Sequence, residues 1–343
     1  MAEKLVLFTF DYELFLGKKS GSVEKCLIKP TDHLLQILNR FNRKGIFFVD
    51  TSYLIRLYEI AEIHERAKTD LGKIINQLKV IIETGHLLFP HIHPHWLDAK
   101  YNEKENEWDL SDFTKYRFTN INDKQKEYLF AKSIYILKSI INPVYPEYKM
   151  DSYRAGGWSI QPFADFKHYF DINNITNDFS VIPGKYQLSN AQFFDFRNAP
   201  VKDVYNFDTD ITIENKVGAY KEFTISSIFL SDILVWLNFK ISGLLKRFKI
   251  APYGKGSTVD NIITEESDYN RKRGKRVVAS IEGMTLVTFF KYYKAILKNN
   301  YFQFISHPKL VTRHELFLFK YLLFLLRKKN IETDFNNIST RNP

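Results

Sequence analysis

A single cysteine, Cys26, stands in a chain of 343 residues. No intramolecular disulfide can form, and a reducing compartment is expected. Zinc-finger spacing, RNA-binding aromatic motifs and dense basic runs are likewise absent, so nucleic acid is not an expected partner. No segment approaches the roughly eighteen uncharged apolar residues that a bilayer span requires. The opening "MAEKLVLFTFDYE" carries an apolar run of only five to six residues before charges interrupt it, too short for a signal-peptide core. A cytoplasmic location, at most at the inner face of the membrane, is the expectation. Repeats, low-complexity tracts and clear linkers are missing too, and residues 1–343 read as one domain.

What is present has the composition of a globular protein: 45% hydrophobic and 26% charged residues, with 30 Phe and 20 Tyr that suit a β-rich core or a sugar-facing cleft. Lysine and arginine outnumber acids 49 to 39, a net charge of +10 that favours an anionic partner such as a phosphorylated sugar or a membrane surface. The basic clusters at 246–249 and 271–276 read as solvated loops.

Periodicity organises the chain into alternating strands and helices. Residues 4–10 are a buried strand ending at Asp11 and Glu13. A helix follows, with Thr31 as its N-cap, Leu34, Leu35, Leu38 and Phe41 at helical spacing, and Gly45 as its stop. A strand at 46–50, a helix at 72–85 and a strand at 87–92 come next. Residues 123–142 are helical, 150–157 enclose a fourth strand, and the pattern resumes at 170–175. A strand at 301–308 ends in His307, and Thr312 with Glu315 forms a capping box before the last helix.

This order describes parallel βα units, and the fold class is α/β. The chemistry-bearing residues recur at strand C-termini, where parallel barrels place their active sites: Asp11 and Glu13, the histidines of "HIHPH", Arg154 and His307. Residues 97–122 form a long polar connection suited to a binding loop, and 190–225 a small antiparallel addition. The apolar segment 226–249 reads as a core helix; an interfacial helix on an anionic membrane is the alternative.

Three histidines at alternate positions, His91, His93 and His95, point to a metal. His91 and His95, four apart around Pro94, suit one ion if the chain turns there; His91 and His93 share a strand face and are the rival pair. Asp11 and Glu13, two apart, face the same side, so one can bind the cation while the other accepts a proton. Burying these groups without a cation would be expensive.

In order, "TFDYE", "HIHPH", "YRAGGWS" and "ISHP" resemble the signature motifs of the polysaccharide deacetylases, carbohydrate esterase family four, which includes chitin and peptidoglycan deacetylases; the resemblance runs from about residue 5 to 310. It implies a distorted (β/α)7–8 barrel with a small strand-rich insertion, holding one divalent metal, Zn2+, and hydrolysing acetyl groups from amino sugars. By that resemblance Asp11 is the base, and Glu13, His91 and His95 are the ligands, with His93 between them as a supporting or substrate-facing group. Arg154 orients Asp11, and His307 is the acid. Gly157 offers its N–H to the oxyanion, and Trp96 and Trp158 are candidates for stacking on sugar.

Several departures stand out. Tyr12 occupies the usual metal-binding aspartate position, which passes that role to Glu13. "RAGGW" lacks the usual prolines, and the aspartate that tunes the catalytic histidine has no clean match, Asp178 being a candidate. The implied function is a metal-dependent deacetylase acting on an acetylated precursor of a surface polysaccharide, nucleotide-linked or lipid-linked. Peripheral membrane contact through 226–249 would suit the lipid-linked form. The altered motifs suggest a second reading, a catalytically silent carbohydrate-binding descendant.

Overall fold

The computed structural model describes residues 4–248, 250–260, 262–266 and 274–331. Strand β1 (Leu5–Tyr12) is buried at every position, as a strand covered on both faces must be. It lies in an eight-stranded sheet with β2 (Ile46–Asp50), β3 (Leu87–Ile92), β4 (Ser152–Ala155), β5 (Asn177–Asp178), β6 (Val204–Phe207), β7 (Tyr220–Phe223) and β8 (Tyr301–Ser306). The order across the sheet is β6-β7-β5-β4-β3-β2-β1-β8. Neighbours run parallel except the antiparallel pair β6 and β7. The sheet is strongly curled. The chain leaving β7 reaches β8, where Ser226 N donates to Gln303 O (3.3 Å) and Tyr301 Oη donates to Thr224 O (3.0 Å).

Helices α1 (Lys29–Arg40), α2 (Thr51–Ala61), α3 (Glu65–Glu83), α4 (Asp123–Ile141), α5 (Ala164–Asn173), α6 (Asp232–Arg247), α7 (Leu286–Lys298) and α8 (Arg313–Lys328) flank it. The chain is thus an α/β protein built on a curled mixed sheet. The capping box at Thr312 and Glu315 is present. Thr31 is not an N-cap: a π-helical turn at Glu24–Ile28 runs straight into α1, leaving Thr31 inside its first turn behind Pro30. Helix α2 follows β2 with no loop, because Asp50 caps it by accepting from Tyr53 N at 3.2 Å. Residues 170–175 start no strand; α5 runs to Asn173, and Asn174 closes it in the left-handed region.

The 190–225 region divides between two sheets. Tyr186–Ser189, Phe193–Asp195 and Ile263–Glu266 make a three-stranded antiparallel sheet, while β6 and β7 join the main one. The 226–249 segment is not a core helix. It opens with strand Ser227–Ser231, paired with Gly274–Val278, and then forms α6, none of whose residues is buried. Lys249 and the basic residues 271–273 lie outside the described residues. Among the described residues no helix is long and apolar enough to cross a membrane.

Candidate metal centre

Side chains alternate along a strand, so Thr9, Asp11 and Glu13 all leave β1 on one side. Parallel register then brings the other strand ends level: His91 lies opposite both Asp50 on β2 and Arg154 on β4. The site is therefore assembled by pairing register at the C-terminal edge of the sheet.

Glu13, His91 and His93 are buried, and one ligand atom from each lies within 4.8 Å of the others. Glu13 Oε2 is 2.9 Å from His93 Nε2 and 3.4 Å from His91 Nε2, and the two imidazole nitrogens are 3.1 Å apart. Tetrahedral ligands on a zinc-sized ion, at roughly 2.0–2.1 Å from it, stand about 3.3 Å from one another. The spacing already matches.

The ring chemistry agrees. His91 Nδ1 lies 2.8 Å from the carbonyl of Arg154, which can only accept, so Nδ1 carries a proton and Nε2, facing Glu13 and His93, is the ring atom placed to ligate an ion. Burial disfavours an imidazolium at His91, yet Asp11 and Glu13 outweigh it and raise its pKa. The spot attracts positive charge. His93 Nδ1 and both ring nitrogens of His95 are buried without a hydrogen-bond partner. Glu13, His91 and His93 form a site that can chelate a divalent metal ion.

His95 does not join this cluster. The chain stays extended through His93, keeping it on the same face as His91; Pro94 then starts the short 3-10 turn Pro94–Asp98. That turn sets the His95 ring edge-on to His93 at 5.6 Å and stacks it on Tyr116 at 4.8 Å. Burial pushes the pKa of His95 well down, so it is neutral there. The rival pair His91 and His93 is the one that converges.

Asp11 sits beside the cluster. Its Oδ1 accepts from Arg154 Nη1 at 2.6 Å, and its Oδ2 is 3.5 Å from His307 Nε2. Burial acts to raise its pKa, but Arg154, His91 and His307 together hold the carboxyl below the usual range. Arg154 is wholly buried and fully engaged: Nε donates to Phe179 O (2.9 Å) and Nη2 to Thr9 Oγ1 (2.8 Å), while its guanidinium lies 4.2 Å over the Phe48 ring. His307 is held from behind by Glu282, whose carboxylate lies 2.9 Å from Nδ1 and accepts from the His307 backbone N–H at 3.2 Å. Against burial, Glu282 and Asp11 raise the pKa of His307. The site thus holds an ionised carboxylate and, 3.5 Å from it, a histidine disposed to carry a proton, both beside a cluster that can chelate a metal.

Asp178, the candidate for tuning that histidine, lies elsewhere. It accepts from Ser180 N and Ser180 Oγ and faces Glu222, and burial raises the pKa of both acids, with Asp178 adding to the rise at Glu222. Glu282 occupies the place expected of it, and sequence offered no motif for it.

Lys309 was also missed. Its buried ammonium donates to Glu13 Oε1 at 2.7 Å and to the Leu14 carbonyl at 2.6 Å. Its position two residues past His307, across Pro308, was the only signal. Burial raises the pKa of Glu13, but Lys309 and the two histidines hold it well below the carboxylate range. Asp50, packed against this centre, accepts from Trp96 Nε1 at 2.6 Å, and burial pushes its pKa up to about 6.

The sugar-facing candidates fare differently. Trp96 is 0% exposed, wedged between Tyr53 and Trp108, and has no face for a ligand. Gly156 abuts His93: a Cβ there would come 2.8 Å from Nδ1 and 2.4 Å from the Ile92 carbonyl. Gly157, at φ +58°, lies against Tyr116, whose ring would meet its Cβ at 2.7 Å. Trp158 is half-buried, with the Lys185 ammonium 4.2 Å over its ring. Residues 97–122 do build a wall of the site, through Tyr116.

No family model matches the chain, and no curated protein does. Among solved structures it is similar to a "putative polysaccharide deacetylase from Mycobacterium smegmatis", at 13% identity over 96% of this chain and 86% of that one, with a TM-score of 0.48. What the site can do is decided by its own residues.

Proposed function

We propose that the protein is a zinc-dependent carbohydrate deacetylase on a distorted deacetylase-type barrel, hydrolysing the acetamide, or an acetyl ester, of an amino-sugar precursor of a surface polysaccharide. The observation that carries this is the convergence, at one sheet edge, of Glu13, His91 and His93 with Asp11 on Arg154 and His307 on Glu282. The four motifs that resemble the polysaccharide deacetylases supply all of these groups except Glu282.

Glu13, His91 and His93 would hold the ion; a mixed nitrogen and carboxylate set suits Zn2+. When bound, the cation supplies Lewis acidity toward a carbonyl and acidity to water. Asp11, kept ionised by Arg154, takes the proton of the attacking water. Arg154 spends all three nitrogens on fixed acceptors, so the carboxylate cannot swing away. His307, protonated and aimed by Glu282, gives its proton to the departing amine. The N–H of Gly157 is the proposed oxyanion donor, and Trp158 the proposed wall for the sugar.

Acetate release from acetylated amino sugars, measured alongside metal content, tests this reading. Stoichiometric zinc with acetate release supports it. Bound zinc with no acetate from free, nucleotide-linked or lipid-linked sugars assigns the site instead to a silent carbohydrate binder, the reading that the altered "TFDYE" and "RAGGW" motifs favour.

A further inference from the structure

Helix α6 wears several of its apolar side chains outward. Ile233 is 76% exposed, Trp236 60% and Phe239 72%, whereas Asn238 points inward and accepts from Thr285 Oγ1 at 2.6 Å. A helix on a globular surface normally buries its apolar stripe and solvates its polar one. Here apolar side chains stand on both faces, with Leu234, Val235 and Ile241 partly buried against the core and Ile233, Trp236 and Phe239 left outside. The patch extends onto α7, which packs beside α6 and exposes Phe290 at 62%. Contiguous apolar surface of this kind marks a contact with something apolar.

Charge identifies the other chemistry of that contact. Lys240, Lys246 and Arg247 are exposed on the same helix, and among the described residues none of them is paired with an acid; Lys240 lies over the Trp236 ring at 5.8 Å. Aromatic and aliphatic anchors interleaved with cations are what an in-plane interfacial helix presents to anionic headgroups. A second copy of the chain fits poorly, since a face-to-face pairing would set these cations against their own equivalents.

The helix also leads to the metal centre. Beyond it Tyr253 N donates to Val311 O, Gly254 N to Lys309 O and Ser257 N to Lys19 O, so the chain after the helix is tied to the backbone of Lys309, whose side chain pairs with Glu13. We infer that α6 docks the protein on an anionic membrane surface and presents the metal centre to a sugar carried by a lipid in that membrane. The substrate half of this inference rests on the deacetylase reading; the docking half does not.

Co-sedimentation of the full chain with phosphatidylglycerol-containing vesicles, against pure phosphatidylcholine vesicles, tests the docking. Expected is binding to the anionic vesicles alone, weakened by salt, with a blue shift of tryptophan emission that Trp236→Phe removes. The triple change Ile233→Ser, Trp236→Ser and Phe239→Ser should cut partitioning by at least about tenfold. Lys240→Gln with Lys246→Gln and Arg247→Gln should remove the salt dependence, and zinc content and unfolding midpoint should stay as in the parent. Failure to bind either vesicle, or equal binding to both, overturns the inference. So does self-association in sedimentation velocity that the apolar triple change abolishes, since it gives the face to a second copy. Vesicle binding without acetate release from a lipid-linked acetylated sugar leaves docking intact and defeats the substrate half; acetate release without vesicle binding does the reverse.

Discussion

The ammonium of Lys309 stands 2.7 Å from Oε1 of Glu13, across 296 residues of chain, and leaves Oε2 to face His91 and His93. One carboxylate is thereby divided between a fixed internal cation and the metal position. Lys309 keeps Glu13 ionised and leaves Oε2 to face the two histidines, as groups behind metal ligands commonly do. Lys309→Met should weaken zinc binding by about 10- to 100-fold, read by competition with a chromophoric chelator. Unchanged affinity would show that Glu13 is aimed by something else.

Arg154 and Asp11 form a buried pair, and removing either partner leaves the other's charge buried with less to offset it. Arg154→Met should cost about 3–5 kcal/mol of stability, because it leaves the buried Asp11 carboxylate with only His91 and His307 to offset its charge. Adding Asp11→Asn should recover part of that loss. Urea unfolding of the two variants measures both steps. Neither variant should release acetate, and Asp11→Asn alone should keep its zinc.

Glu282 governs the proton on His307. Replacing it with Gln removes the carboxylate that raises the pKa of the ring, so His307 should lose its proton at lower pH. In the wild type, activity should rise as Asp11 ionises, below the usual carboxylate range, and fall as His307 deprotonates, above the usual histidine range. The alkaline limb should move to lower pH in Glu282→Gln while the acid limb stays. An unmoved alkaline limb in the pH-rate profile would remove His307 as the acid.

The strand-end placement of Asp11, Glu13, the histidines, Arg154 and His307 was legible in the sequence because strand periodicity and a change of residue type coincide there. The apolar run 4–10 stops at two acids, and 301–306 stops at a histidine. The ligand pair was only half legible. His91, His93 and His95 differ by the path of the backbone after Ile92, and nothing local says whether Pro94 turns before or after the chain leaves the site. Glu282 and Lys309 were invisible for another reason. Each acts through a partner distant in sequence, and an acid in "SIEGM" or a lysine after "HP" looks like any solvated charge until the fold buries it. Helix α6 misled because outward apolar side chains carry the same periodicity as inward ones.

His86 gives a prediction away from the site. Its Nδ1 accepts from Gly45 N at 2.9 Å and its Nε2 lies 3.1 Å from Asn39 Oδ1, an arrangement that requires the neutral ring. Burial, aided by Lys44, lowers its pKa to about 3. The unfolded chain therefore binds the proton more readily, so the stability this residue contributes is present above pH 6.5 and is lost as pH falls toward about 3. The slope should approach about 1.4 kcal/mol per pH unit. His86→Gln should flatten the difference in urea stability between about pH 7 and about pH 5; an unchanged slope would contradict the assignment.

The central claim is that one cation is gripped by the first and third strands together. Anomalous diffraction at the zinc edge, from crystals of the zinc-loaded protein, tests it most directly. A single strong peak should appear, bounded by Glu13 Oε2, His91 Nε2 and His93 Nε2, with Asp11 beside it on Arg154. No peak there, or a peak that takes its nitrogens from His95 in place of His93, would contradict it.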